Sequence, residues 1–433
     1  MFLSIPANLK YILKSELLKS ASILISGTVV AQLISIMLQP FLRRFFSPES
    51  FGIYSVYLSL IGIVTVISSL RFDDAIVLPK TDKESANVLS LSLIFNLLFN
   101  LLLFFTVTLF GNKIILFLNL PSSFPVRVLY IIPLGAFLYN TYQCLNYWLI
   151  RKQKFYSVSV NKLLRRGSEG FSQVGFAFSN LNNGLIYSDI IGQTVNVLTV
   201  IFQTFRNGLT FKSVSFTRLK YVFKKYKDFP KFNLVPAFMS TCSFLLPPIF
   251  INKFFSSESA GFFDLAKLLL SVPLALVATS FSSVLLQRVS DKFNRRESFI
   301  AELKPVIAIV CTISLIEVLT IILFGESLFK FIFGNTWVFS GKISKILVWS
   351  FTFNFIVSTF TTIFVSMRRI RTYSLYQLFY FISILCLLFF KSLNFVEFLR
   401  IYVIIEVICY VVLTSIIIFI ITGYERSLRS DYQ

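Results

Sequence analysis

The feature that most constrains this chain is a succession of twelve apolar blocks, at 17–39, 51–70, 86–110, 127–149, 155–178, 184–206, 232–252, 261–286, 303–324, 343–366, 372–390 and 396–422. Each is near the 20 residues that a helix rising 1.5 Å per residue needs to cross roughly 30 Å of hydrocarbon. Hydrocarbon offers no water to unpaired backbone groups, so only helices or closed barrels span it, and the alternating ten-residue segments of a barrel are absent. Composition agrees: 56% of 433 residues are apolar and 14% charged, too few charges for a water-facing surface. The expected fold class is all-α integral membrane, with twelve spans.

The net charge of +21 would suggest a nucleic-acid partner in a soluble protein, but here the basic residues crowd the short connections between apolar blocks. That bias sets topology, with both termini cytoplasmic, and no nucleic-acid partner is expected. Residues 1–16 carry Lys10, Lys14 and Glu16 and no cleavage site, and read as an amphipathic lead-in. The heaviest basic cluster joins the sixth and seventh blocks (Arg206, Lys212, Arg218, Lys220, Lys224, Lys225, Lys227, Lys231). It predicts an amphipathic helix lying on anionic phospholipid at the cytoplasmic face. The five cysteines lie in apolar blocks, unspaced for metal, and no histidine occurs, which removes histidine-based catalysis, proton relays and zinc ligation. No metal site or cofactor is expected.

The basic loop divides the chain into similar halves. Residues 45–52 read FFSPESFG and residues 254–261 read FFSSESAG, six identities in eight at an offset of 209; the same offset aligns Asp82-Lys83 with Asp291-Lys292. Six spans separate equivalent points, so the halves run parallel: residues 1–209 and 231–433 as two six-helix bundles, 210–230 as a basic linker, with a central cavity between the bundles. The motif also reads as a helix start, with Ser47 and Ser256, or Ser50 and Ser259, capping the adjoining span.

The fifth block is the least lipid-like. Lys162, Arg165, Arg166, Glu169 and Gln173 share one helical face. A cation near the bilayer midplane costs about 2.5–3.5 kcal/mol even on insertion scales, so that face must meet protein or a wet cavity. Arg forks and a Lys suit phosphate oxygens, which makes this stripe the candidate site for an anionic headgroup. A plainer reading pairs Glu169 with Arg165 or Arg166 inside the helix. Lys267, with Asp264 one turn before it, is a further candidate headgroup contact or a local ion pair. Asp189, Gln193 and Asn196 form a polar stripe on the sixth block, and Glu317 and Glu406 stand alone in the ninth and twelfth. The buried carboxylates Glu169, Asp189, Glu317 and Glu406 are candidates for H⁺ or Na⁺ coupling, or hydrogen-bonded acids with a structural role.

Between the second and third blocks lies LRFDDAIVLPKTDKESANVLS. By local chemistry it is a cytoplasmic turn: Arg71, Asp73 and Asp74 end a helix, Pro79 breaks the chain, and Thr81-Asp82 cap the next helix. Arg71 and Asp74 could also form a gating salt bridge. This segment, with FFSPESFGIYSVYLSLIGIV before it, resembles the polysaccharide-exporter branch of the multidrug/oligosaccharidyl-lipid/polysaccharide (MOP) superfamily, to which Wzx-type O-antigen and capsule-unit flippases belong. Phe46 to Tyr54 and Arg71 to Pro79 carry the match, which covers the first 90 residues. The resemblance implies a flippase, not an enzyme. It would move undecaprenyl-diphosphate-linked oligosaccharide from the cytoplasmic to the periplasmic leaflet of a bacterial inner membrane, by alternating access of a cationic cavity. Polysaccharide polymerase and a chain-length regulator are then candidate partners. The first block departs from this pattern, with no basic residue deeper than Lys19.

Two alternatives share many of these features. An ion-coupled small-molecule exporter of the same superfamily has the same spans, but cationic drugs do not suit a cationic cavity. A membrane polysaccharide polymerase or ligase ordinarily needs a larger external loop than any connection here provides.

Overall fold

The computed structural model describes residues 16–121, 126–179, 181 and 183–430; the lead-in expected over 1–16 lies almost wholly outside them. Among the described residues the chain is helical without strands. Its principal helices are α1 (Glu16–Phe45), α2 (Pro48–Ser68), α3 (Asp82–Leu118), α4 (Ile131–Arg151), α5 (Phe155–Phe178), α6 (Gly184–Arg206), α7 (Phe216–Lys225), α8 (Leu234–Phe254), α9 (Ser257–Asn294), α10 (Ile300–Phe333), α11 (Val338–Phe360), α12 (Ile370–Leu385) and α13 (Phe395–Ser430). Every apolar block of the sequence corresponds to one of them, and α7 is the short helix of the basic linker. Nine of the described helices are long and apolar enough to cross a membrane by length and composition. Helices α4 and α5 are not among these nine.

The helices end where local chemistry says they should. Ser47 accepts the Ser50 amide at 3.2 Å and Ser256 the Ser259 amide at 3.0 Å, so the first serine of each FFSxES copy is the cap. Thr81 accepts the Glu84 amide at 3.3 Å and starts α3. Before it, residues Phe72–Val77 form a 3₁₀ turn entered through Arg71 in the left-handed region (φ 61°). The second alignment at offset 209 does not hold in three dimensions. Asp82-Lys83 opens α3, whereas Asp291-Lys292 closes α9. Pro79 breaks the first copy; residues 280–294 contain no proline and the helix runs on.

The chain forms two compact units: α1 as far as Phe46 with Tyr57–Phe238, and Ser47–Val56 with the residues from Met239 onward. In the first, Phe72, Trp148, Leu149 and Val200 are buried in a core between the 3₁₀ turn, α4 and α6. In the second, Phe263, Leu347, Phe398 and Leu399 anchor a core of α9, α11 and α13. The outer faces of α3, α10 and α13 expose Leu, Ile and Phe, as a lipid-facing surface does.

The amphipathic helix expected in the linker is α7. Ser215 caps it, Val222 is buried, and it is latched to α3 by Lys225 Nζ on Glu84 at 2.6 Å and by the Tyr226 hydroxyl donating to the same carboxylate at 2.9 Å. Burial raises the Tyr226 phenol and the adjacent carboxylate adds to the shift; the same carboxylate raises the Lys225 ammonium. Phe216 and Tyr221 remain exposed beside Lys220 and Lys224.

Candidate functional site in the amino-terminal unit

The polar stripe of α5 packs toward α6 through Gly192. A Cβ there would meet the Glu169 Cβ at 2.9 Å and the Arg165 carbonyl at 3.1 Å. This close approach brings Asp189 to Arg165, with an Nη2–Oδ1 separation of 3.2 Å. The Tyr57 hydroxyl donates to the other oxygen of Asp189 at 3.1 Å. One turn along, Arg166 pairs with Glu169 at 2.9 Å, and the Gln173 amide reaches Glu169 at 3.5 Å. Lys162 donates to the Thr28 hydroxyl of α1 at 2.7 Å. Glu169 thus neutralises Arg166 within the helix, and the three cations line a cavity.

That cavity measures about 340 Å³ and lies among α1, α4, α5 and α6. Lys162, Arg165 and Arg166 form one wall, and Gln32, Tyr142 and Asn196 contribute to the others. Three cations stand against the two carboxylates Glu169 and Asp189, a formal surplus of one positive charge. Tyr139 offers its ring to the Arg165 guanidinium at 5.7 Å. Several buried polar atoms in the wall have no hydrogen-bond partner among the described residues: Gln32 Oε1, the Tyr142 hydroxyl, Asn146 Oδ1, and both side-chain polar atoms of Asn196. Buried polar groups are costly unless hydrogen-bonded, so these atoms give the chamber a polar wall with unmet hydrogen-bonding capacity.

Gln173 is buried beside Glu169 and does not line the cavity; Lys267 belongs to the other unit, where its ammonium donates to the Phe244 carbonyl at 2.9 Å and sits 3.6 Å from the Phe244 ring centroid. The α4 contribution escaped the sequence reading. Tyr139, Tyr142, Gln143 and Asn146 recur at i, i+3, i+4 and i+7 and all line the chamber. Their periodicity is a usable signal, masked by a composition rich in aromatics and asparagine.

The remaining candidates lie elsewhere. Arg71 pairs with Asp74 at 2.8 Å, and Asp74 accepts from the Tyr147 hydroxyl at 3.0 Å. Burial raises the neighbouring Asp73 carboxyl, against a hydrogen bond from Ser69 at 2.5 Å that pulls it down. Arg151 of α4 ties down the same turn, donating to the Pro79 carbonyl at 2.5 Å and pairing with Asp82 at 3.3 Å. In the second unit, Thr352 donates to Glu317 at 3.0 Å. Glu406 is buried and accepts from Ser350, from Tyr380 at 2.5 Å and from Tyr410 at 3.4 Å, with Asn354 donating to Tyr410 at 2.6 Å.

The fold recurs in solved transporters. A structure titled lipid II flippase MurJ, inward closed conformation, superposes with a TM-score of 0.72 at 15% identity, covering 95% of this chain and 92% of that one. A MATE in complex with MaD3S gives a TM-score of 0.59 at 16% identity over 94% and 95% of the two chains. An outward-facing multidrug resistance MATE family transporter of the MOP superfamily gives 0.58 at 17% identity over the same shares. These likenesses establish the fold: the all-α, MOP-type architecture expected from the sequence. No curated protein matches the chain at the sequence level. A model of the polysaccharide biosynthesis protein family matches residues 41–341, which takes in the FFSxES motif, the Arg71–Pro79 turn and the whole cavity-lining stripe of α5, and the chain belongs to that family.

Proposed function

We propose that the protein is a flippase, not an enzyme, that moves an undecaprenyl-diphosphate-linked oligosaccharide from the cytoplasmic to the periplasmic leaflet of a bacterial inner membrane, with both termini in the cytoplasm. The observation that carries this reading is a cationic chamber, lined with unpartnered hydrogen-bonding atoms, inside an otherwise lipid-facing helical unit. Arg165, Arg166 and Lys162 suit diphosphate oxygens, and the free groups of Gln32, Asn146 and Asn196 suit sugar hydroxyls. A cationic drug would meet a surplus of like charge there, which disfavours a multidrug-exporter role. At about 340 Å³ the chamber takes the charged end of such a substrate while the prenyl tail stays in lipid. The family match and the flippase fold support the same class of cargo.

Alternating access would carry the headgroup across, with the Arg71–Asp74 pair as a gate and Glu406 or Glu317 as the site of H⁺ or Na⁺ coupling. The test is a strain lacking the gene and complemented with Arg165→Ala/Arg166→Ala. Lipid-linked glycan should accumulate on the cytoplasmic leaflet while the variant inserts in the membrane at the normal level. Normal export by that variant would discard the reading, and unpolymerised units reaching the periplasm in the deletion strain would favour a polymerase instead.

A further inference from the structure

The carboxy-terminal unit holds a second and larger cavity, about 870 Å³, unrelated to the headgroup chamber. One long wall is α13. Positions 411, 415, 419, 423 and 427 line it at strict four-residue spacing, flanked by 412, 416, 420 and 424. Sixteen residues at 1.5 Å each make a groove about 24 Å long, close to the length of an extended acyl chain. Over Val411 to Ile420 the lining is aliphatic and aromatic, with Ser415 its one polar side chain.

The other end is chemically different. Helix α12 runs antiparallel to α13, with the rings of Tyr380 and Tyr410 tilted against each other at a centroid distance of 6.0 Å. Eleven residues earlier, Arg369 therefore stands beside the turn of α13 that carries Ile420 to Tyr424, and it lines the cavity together with Thr372 and Ser427. Arg369 is exposed, and none of the ion pairs among the described residues involves it. Arg368 and Arg371 flank it in sequence. Tyr424 closes this end of the groove, its ring against Phe293 at the end of α9 and its hydroxyl donating to the Glu297 carbonyl in the turn that follows at 3.1 Å.

We propose that this groove binds one anionic glycerophospholipid, with its phosphate on Arg369 and Thr372 and one acyl chain along α13. Charge complementarity selects the occupant: an apolar trough of acyl length ends in unpaired guanidinium charge and the Thr372 hydroxyl. An uncharged tail alone would leave that charge unmet, and a zwitterionic lipid would bring a cation to it.

The test uses the full chain in nanodiscs of phosphatidylcholine doped with a phosphatidylglycerol carrying a diazirine on one acyl chain. After irradiation, mass spectrometry of peptides should place the label on residues 411–427. Arg369→Gln should lower it several-fold, and Ser415→Trp, which fills the trough without touching the charge, should lower it likewise. Two outcomes overturn the proposal. One is equal labelling by a diazirine phosphatidylcholine with no effect of Arg369→Gln, which would make the lipid merely annular. The other is displacement of the label by undecaprenyl phosphate at concentrations where unlabelled phosphatidylglycerol has no effect, which would assign the groove to a prenyl carrier.

Discussion

Gly52 and Gly261, equivalent positions of the duplicated FFSxESxG motif, pack against each other reciprocally inside the second unit. A Cβ on Gly52 would lie 1.7 Å from the Ser257 carbonyl oxygen, and one on Gly261 would lie 1.8 Å from the Pro48 carbonyl oxygen. The capped starts of α2 and α9 thus cross backbone on backbone, as small residues allow in membrane helices. This explains why each copy keeps its glycine as well as its serine cap.

Substituting either glycine with valine should destabilise the protein by at least the 1–3 kcal/mol, roughly, of an overpacked site, because backbone atoms and not flexible side-chain ends must move. The two substitutions share one contact, so their combination should cost less than the sum. Thermal unfolding of the purified single and double variants, followed by fluorescence size-exclusion, reads this out; simple additivity would show that the glycines act separately.

Asp189 is the buried partner of Arg165. Asp189→Ala should cost about 3–5 kcal/mol, since it removes the carboxylate that pairs with a largely buried guanidinium. The double variant Arg165→Met/Asp189→Leu should recover most of that stability yet remain inactive if Arg165 holds the substrate phosphate as proposed. Recovery of transport along with stability would reduce Arg165 to a structural role.

Glu406 gathers the hydroxyls of Ser350, Tyr380, Tyr402 and Tyr410. Glu406→Leu takes this acceptor from Ser350, Tyr380, Tyr402 and Tyr410 and should lower stability by about 1–3 kcal/mol for each group left unsatisfied. Glu406→Gln keeps an acceptor oxygen and should fold. If coupling resides at Glu406, this variant loses the dependence of transport on an imposed H⁺ or Na⁺ gradient, measured in proteoliposomes; an unchanged dependence moves coupling elsewhere.

The α7 latch rests on Lys225 and Glu84. Lys225→Met should speed amide hydrogen exchange across residues 216–225 at neutral pH while leaving α3 protected. The carboxylate raises the Lys225 ammonium above its usual value. The ion pair therefore contributes fully below the ordinary lysine pKa of about 10.4 and is lost only as pH climbs through the raised value. Between pH 7 and 9 the protection factors of α7 should hold steady.

The sequence by itself determined the succession of apolar helices, the serine and threonine caps and the polar face of α5. Bilayer thickness sets the length of an apolar run, a cap needs a side-chain acceptor three residues before its amide, and 3.6-residue periodicity places Lys162, Arg165, Arg166 and Glu169 on one face. Only tertiary structure decided which carboxylate each arginine meets. Glu169 lies one turn from Arg166 and was foreseeable, whereas Asp189 reaches Arg165 because Gly192 lets α5 and α6 close together. Tertiary structure also showed that Tyr142, Asn146 and Asn196 converge on one chamber, and that Gly52 meets Gly261 across 209 residues of chain. Periodicity says which side of a helix is polar; which helix comes to stand opposite is settled by packing between segments distant along the chain, and that leaves no local mark on the residues involved.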